Sequence, residues 1–172
     1  DLIEQAVNAN VTLTGSTAYR MLHGWPPNTV KEGDVVLVWG GSGGLGSLAV
    51  QLVTLAGARA VAVVSSAEKG EYAASLGAVG YIDRTGFDHW GVPPAWDSPG
   101  WKAWFEGAKA FGKAIWDVLG EKRSPNIVFD HPGQDTIPTS IFVCERGGMV
   151  VICAGTSGYD TLVDVRYLWY LQ

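Results

Sequence analysis

The sequence is poor in the groups that carry metal, redox or nucleic-acid chemistry. It holds two cysteines, Cys144 and Cys153, in or beside one apolar segment. Two thiols so placed read as buried thiols of a reducing, cytoplasmic compartment rather than as a disulfide. The three histidines, His23, His89 and His131, stand far apart, and no Cys/His cluster has zinc spacing, so no metal site is expected. Basic runs are absent and the net charge is −5, which argues against nucleic acid as a partner. No apolar run is long enough to span a bilayer and no signal-peptide pattern is recognisable, so no membrane role is expected.

What is present is a chain of 172 residues, 47% hydrophobic, enough for one domain with a real core. Its organising stretch is 35–46, VVLVWGGSGGLG. The first five residues are apolar without a break, the pattern of a strand buried on both faces of a parallel sheet. Gly41, Gly43 and Gly46 follow in G-x-G-x-x-G spacing, and 45–56 then shows helical spacing through Leu45, Leu48, Ala49, Leu52, Val53 and Ala56. In a strand–turn–helix context the first glycine allows the turn, the second lets backbone approach a pyrophosphate, and the third lets helix pack on strand. The helix N-terminus offers free N–H groups and a positive dipole end. Ser42, Gly43, Gly44, Leu45 and Gly46 are therefore expected to line a pyrophosphate.

In chain order, 1–10 opens with a short helical pattern and 13–22 reads as a second helix, capped by Thr14 or Ser16 and stopped by Pro26 and Pro27. After the Gly-loop helix, closed by Gly57, strands are expected at 60–64 and 79–82 around a helix at 67–76. This is βαβαβ, half of a doubly wound nucleotide-binding fold. The rhythm then breaks. Residues 86–125 form an insertion: a loop at 86–100 rich in Gly, Pro and Trp, then a helix at 101–119 whose apolar stripe reads as core. Strands at 126–130 and 148–153 bracket a short helix at 136–143, and 167–172 looks helical. The expected fold is α/β, a doubly wound, Rossmann-like parallel sheet lacking its sixth strand. A missing edge strand would leave the fifth unpaired, which favours self-association or instability.

The end of the second strand bears on the cofactor. NAD enzymes carry Asp or Glu there for the ribose 2′-OH. This chain has Ser65 and Ser66, with Lys69 one turn on, and Arg84 just after the third strand reaches the same corner. Hydroxyls and cations suit a 2′-phosphate, and an acid would repel it. NADPH is therefore expected over NADH, although Ser66 also reads as a plain helix cap. A methyltransferase would also want an acid at that point. A Walker loop needs Gly-Lys-Ser/Thr, but Gly46 is followed by Ser47 and Leu48. A short-chain dehydrogenase needs Tyr-x-x-x-Lys, which does not occur.

Residues 34–53, DVVLVWGGSGGLGSLAVQLV, resemble the cofactor domain of medium-chain dehydrogenases/reductases. Three further stretches resemble the crotonyl-CoA carboxylase/reductase branch: TGSTAYRMLHGWPPNTVKEGD, NIVFDHPGQDT and GGMVVICAGTSGYDTLVDVRYLWY. The Trp-rich insertion resembles that branch too. The resemblance implies a zinc-free enzyme that uses NADPH to reduce an α,β-unsaturated acyl-CoA and traps the enolate with CO2, giving an alkylmalonyl-CoA. It implies that His131 is catalytic and helps hold CO2 through an ordered water. It also implies a homo-oligomer, a tetramer built from dimers. Full-length members carry an N-terminal substrate domain and a longer C-terminus, so residues 1–172 are expected to be the NADP-binding piece of a longer chain. After strands four and five, Asp130, His131, Pro132, Ala154, Gly155 and Thr156 are expected to face the crevice, with Ala154 and Gly155 close to the nicotinamide. Two alternatives stay open: a non-carboxylating enoyl-CoA or quinone reductase, and a non-catalytic nucleotide-binding fragment.

Overall fold

Strand β1 (Val35–Trp39) is the centre of the sheet, and all five of its residues are buried. In the computed structural model, which describes residues 2–170 and the side chains of 11–168, five parallel strands run in the order β3-β2-β1-β4-β5. The others are β2 (Arg59–Val64), β3 (Gly80–Asp83), β4 (Ile127–Asp130) and β5 (Met149–Ile152). Val36 and Val38 face one layer, with Ala49, Val50 and Val53 of α2 (Gly44–Leu55) and Leu22 of α1 (Leu2–His23). Val35, Leu37 and Trp39 face the other, with Phe111 and Ile115 of α4 (Pro99–Leu119) and Val143 of α5 (Ile137–Val143). Each fully buried aliphatic side chain contributes about 1.5–3 kcal/mol. Burial on two faces is why β1 reads as an unbroken apolar run.

From β3 the chain returns through α4 to β4 on the far side of β1. The winding direction reverses there, and the carboxyl ends of β1 and β4 open a crevice. Helix α4 starts where Ser98 accepts a hydrogen bond from the Trp101 N–H (3.3 Å), with Pro99 in its first turn. Its stripe of Trp104, Ala108, Phe111 and Ile115 is buried, as core. Helix α3 (Ala67–Ser75) joins β2 to β3, and α6 (Val165–Tyr170) is the last described element; residues 171–172 of the expected final helix lie outside the described residues.

Two expectations need correction. The N-terminal segment is one helix, not two, and Ser16 does not cap a second. Its hydroxyl donates back to the Thr12 carbonyl (2.6 Å) and that of Thr17 to the Leu13 carbonyl (2.8 Å). Back-bonding of this kind satisfies a hydroxyl inside a helix, so neither residue is acting as a cap. The thiols also differ: Cys144 is buried and pushed up to about 12, chiefly by that burial, whereas Cys153 is exposed.

Candidate functional site

The crevice holds a cleft of about 450 Å³ at the carboxyl ends of the strands. Its floor is the turn leaving β1. Gly40 takes the left-handed conformation there (φ +62°), and Gly43 caps α2 in extended backbone (φ −78°). The turn therefore depends on Gly40, not on Gly41 as the spacing suggested. What Gly41 provides is proximity: a Cβ there would come within 2.7 Å of the Ala62 Cβ on β2. A Cβ on Gly46 would overlap the Gly40 backbone, so the third glycine lets α2 pack on its own loop. Gly41 and Gly46 are buried. Gly43 and Gly44 are exposed, and Ser42 and Gly43 line the cleft. The first-turn N–H groups of α2, including those of Leu45 and Gly46, have no intrahelical acceptor and lie at the positive end of its dipole.

One end of the cleft is cationic. Ser65, Lys69 and Arg84 come together there, and the Lys69 ammonium donates to the Ser65 hydroxyl (3.0 Å). Ser66 does not line the cleft; its hydroxyl caps α3 by accepting from the Lys69 N–H (3.4 Å).

The other end is built on β4 and β5. His131 lines the cleft with its ring laid against Gly40, where a Cβ would reach within 2.5 Å of Nε2. Burial holds its pKa below the ordinary histidine value, against the opposing pull of Asp130 and of hydrogen bonds to the His131 and Trp39 backbone. The imidazole is thus neutral at neutral pH. Asp130 is fully buried and does not line the cleft. One carboxylate oxygen accepts from Gly133 N–H (3.1 Å) and the Thr136 hydroxyl (2.9 Å), the other from the Ser140 hydroxyl (2.7 Å). Ser140 in turn accepts from the Trp39 indole N–H (2.9 Å). The Asp130 carboxylate, its pKa raised chiefly by burial, thereby fixes the His-Pro-Gly turn and the Trp39 wall together. Backbone bonds tie the β4 and β5 loops: Ser157 N–H to the Pro132 carbonyl (2.8 Å) and Gln134 N–H to the Gly158 carbonyl (3.1 Å).

Pro132, Thr156 and Ser157 reach the cleft. Ala154 and Gly155 instead line a neighbouring depression with Cys153 and Tyr159. A Cβ on Gly155 would meet the Tyr159 ring at 2.6 Å, so its small size is already used inside the protein. Sequence reasoning missed Gly40, Ser157 and two aromatic walls, Trp39 and Trp90. The signal for Gly40 was the Gly40-Gly41 doublet; for Trp90 it was only the tryptophan-rich loop.

Residues 44–172 match the family described as zinc-binding dehydrogenase. The chain is 51% identical over 161 residues to a crotonyl-CoA carboxylase/reductase of Cereibacter sphaeroides, spanning 94% of this chain and 37% of that protein. It superposes on a solved structure of the crotonyl-CoA carboxylase/reductase AntE in complex with NADP with a TM-score of 0.90 at 57% identity, covering 92% of this chain and 40% of that one. A 2-octenoyl-CoA carboxylase reductase, CinF, solved with NADP and 2-octenoyl-CoA, matches with a TM-score of 0.76 at 42% identity over 92% of this chain and 34% of that one. Among the described residues no group of three or more His, Cys, Asp or Glu could hold a metal ion. Nor is any helix among them long and apolar enough to cross a membrane.

Proposed function

The chain belongs to the zinc-binding dehydrogenase family, and on that premise we propose that it is the NADPH-binding domain of a crotonyl-CoA carboxylase/reductase. The parent enzyme converts an α,β-unsaturated acyl-CoA and CO2 to an alkylmalonyl-CoA. The observation that carries this reading is the placement of His131. A neutral imidazole stands at the crevice end of β4, in one cleft with the Gly loop and the Ser65–Lys69–Arg84 corner. The likeness to carboxylase/reductases solved with NADP supports it.

The residues fit the cofactor. Ser42, Gly43 and the first-turn N–H groups of Gly44, Leu45 and Gly46 would hold the pyrophosphate, because helix N-termini favour anions and Gly43 leaves space. Ser65, Lys69 and Arg84 would hold the 2′-phosphate through charge-assisted hydrogen bonds. When bound, NADPH supplies the hydride that reduces the enoyl β-carbon. The enolate then takes a proton or CO2, whichever is held nearer. A neutral His131 can bind a water and orient a donor toward a CO2 oxygen. An imidazolium would be an acid beside a carbanion and would favour simple reduction. Burial of His131 therefore serves carboxylation.

The test is to supply the full-length protein with NADPH, crotonyl-CoA and labelled bicarbonate and to weigh the product. Ethylmalonyl-CoA carrying the label is expected. Butyryl-CoA alone would favour a non-carboxylating reductase, and no turnover of either kind would favour a nucleotide-binding module.

A further inference from the structure

We propose that Trp90 is the wall on which a purine ring stacks, the adenine of the 2′-phosphorylated half of NADPH. The inference rests on the NADPH reading of the cleft and adds a residue to it. Trp90 belongs to the connection that leaves β3 six residues after Arg84 and returns through α4. It is half-buried and lines the same cleft as Ser65, Lys69 and Arg84. Phosphate-binding groups and an aromatic wall in one cleft match a base carried on a phosphorylated ribose.

The wall is set before any ligand arrives. Trp90 meets Trp39 edge-on (ring centroids 5.3 Å, 83°) and Phe111 likewise (5.4 Å, 84°). His89 lies behind it at 4.4 Å and is itself buried. Gly91 N–H donates to the Asp135 carbonyl (2.8 Å), which pins the Trp90 loop to the turn after β4. An indole held on several sides loses little freedom on binding, so stacking contributes more of its gross value to affinity. Stacking on an aromatic side chain is tolerant of ring substitution but needs a π face. Both NADPH and an acyl-CoA carry adenine; the 2′-phosphate of one and the 3′-phosphate of the other tell them apart.

Calorimetric titration of the full-length protein with 2′,5′-ADP, 3′,5′-ADP and nicotinamide mononucleotide separates the possibilities. Trp90→Phe should bind 2′,5′-ADP within about threefold of wild type, and Trp90→Leu at least about tenfold more weakly, with nicotinamide mononucleotide unchanged. Equal binding of 2′,5′-ADP by Trp90→Leu and wild type would overturn the role of Trp90 and leave the cofactor site standing. Weakening confined to 3′,5′-ADP would assign the wall to coenzyme A and overturn the proposal. Failure of the wild-type protein to bind 2′,5′-ADP would overturn the cofactor reading itself. A crystal structure of the wild-type protein with 2′,5′-ADP decides without any variant. Adenine and Trp90 ring centroids should lie within about 4.5–7 Å, and a base seated elsewhere refutes the stack.

Discussion

A Cβ on Gly40 would come within 2.5 Å of the His131 Nε2, so the imidazole rests on the bare backbone of the turn that leaves β1. The phosphate loop and the proposed CO2-holding histidine are therefore one construction. Gly40→Ala should cost about 1–2 kcal/mol for the left-handed backbone alone and should displace the ring. Thermal melting and the product ratio of the full-length enzyme check both effects. A wild-type ratio of alkylmalonyl-CoA to saturated acyl-CoA would show that the contact has no catalytic meaning.

Gly43 and Gly46 should fail in different ways. A Cβ on Gly43 would meet only the Gly40 carbonyl oxygen, at 3.3 Å, and its extended backbone suits any residue. Gly43→Val should keep the melting temperature within a few degrees and weaken NADPH binding at least about tenfold, since phosphate contacts are charge-assisted. Gly46→Ala would press a methyl into the Gly40 backbone and should destabilise by more than the roughly 1 kcal/mol that alanine returns in helix propensity. Comparing melting and titration of the two variants tests the division. Tight NADPH binding by Gly43→Val contradicts the placement of the pyrophosphate.

The cationic corner predicts cofactor choice. Dissociation constants for NADPH should be lower than for NADH, and Arg84→Ala should raise the NADPH value about tenfold, as loss of a charged hydrogen bond does, with NADH unchanged. Tighter binding of NADH by the wild-type protein refutes the assignment.

Much of the fold is legible in the order of the residues. The three inner strands, β1, β2 and β4, declare themselves because they are buried along nearly their whole length and read as near-continuous apolar runs, and the Gly loop follows β1 without a gap. The N-terminal helix is easily misread because Thr14 and Ser16 look like capping residues, and nothing local reveals that hydroxyls such as those of Ser16 and Thr17 will bond back to the preceding turn. Motif spacing assigns the turn to Gly41. The backbone conformation that gives it to Gly40 is set by how the loop must clear His131 and α2. Trp90 is visible as composition but not as a wall, because its position depends on α4 packing against Trp39 and on the Gly91–Asp135 bond between segments distant in sequence. Ala154 and Gly155 attract notice for small size, and that size is used by Tyr159 instead.

His89 predicts an acid sensitivity of the fold. It is 6% exposed, neither ring nitrogen has a hydrogen-bond partner among the described residues, and burial lowers its pKa to about 4. The unfolded chain protonates near 6.5 and the folded one does not until about 4. Its contribution to stability is full above about pH 6.5 and is lost as pH falls toward 4, by an amount on the order of 3 kcal/mol. His89→Phe should remove that loss. Denaturation of both proteins across about pH 4–7 is the check, and parallel curves would contradict the buried neutral state.

The proposed role of His131, as neutral imidazole, is to steer the enolate to CO2. The direct measurement is the product partition of full-length wild-type protein and His131→Asn, with NADPH, crotonyl-CoA and a fixed, limiting concentration of dissolved CO2. In the wild type, carboxylation should fall relative to reduction only below the usual histidine range, because burial depresses the pKa. In His131→Asn, NADPH oxidation should continue while product moves from alkylmalonyl-CoA to saturated acyl-CoA at every pH. Wild-type carboxylation by His131→Asn at limiting CO2 would contradict the account and reduce His131 to a turn residue.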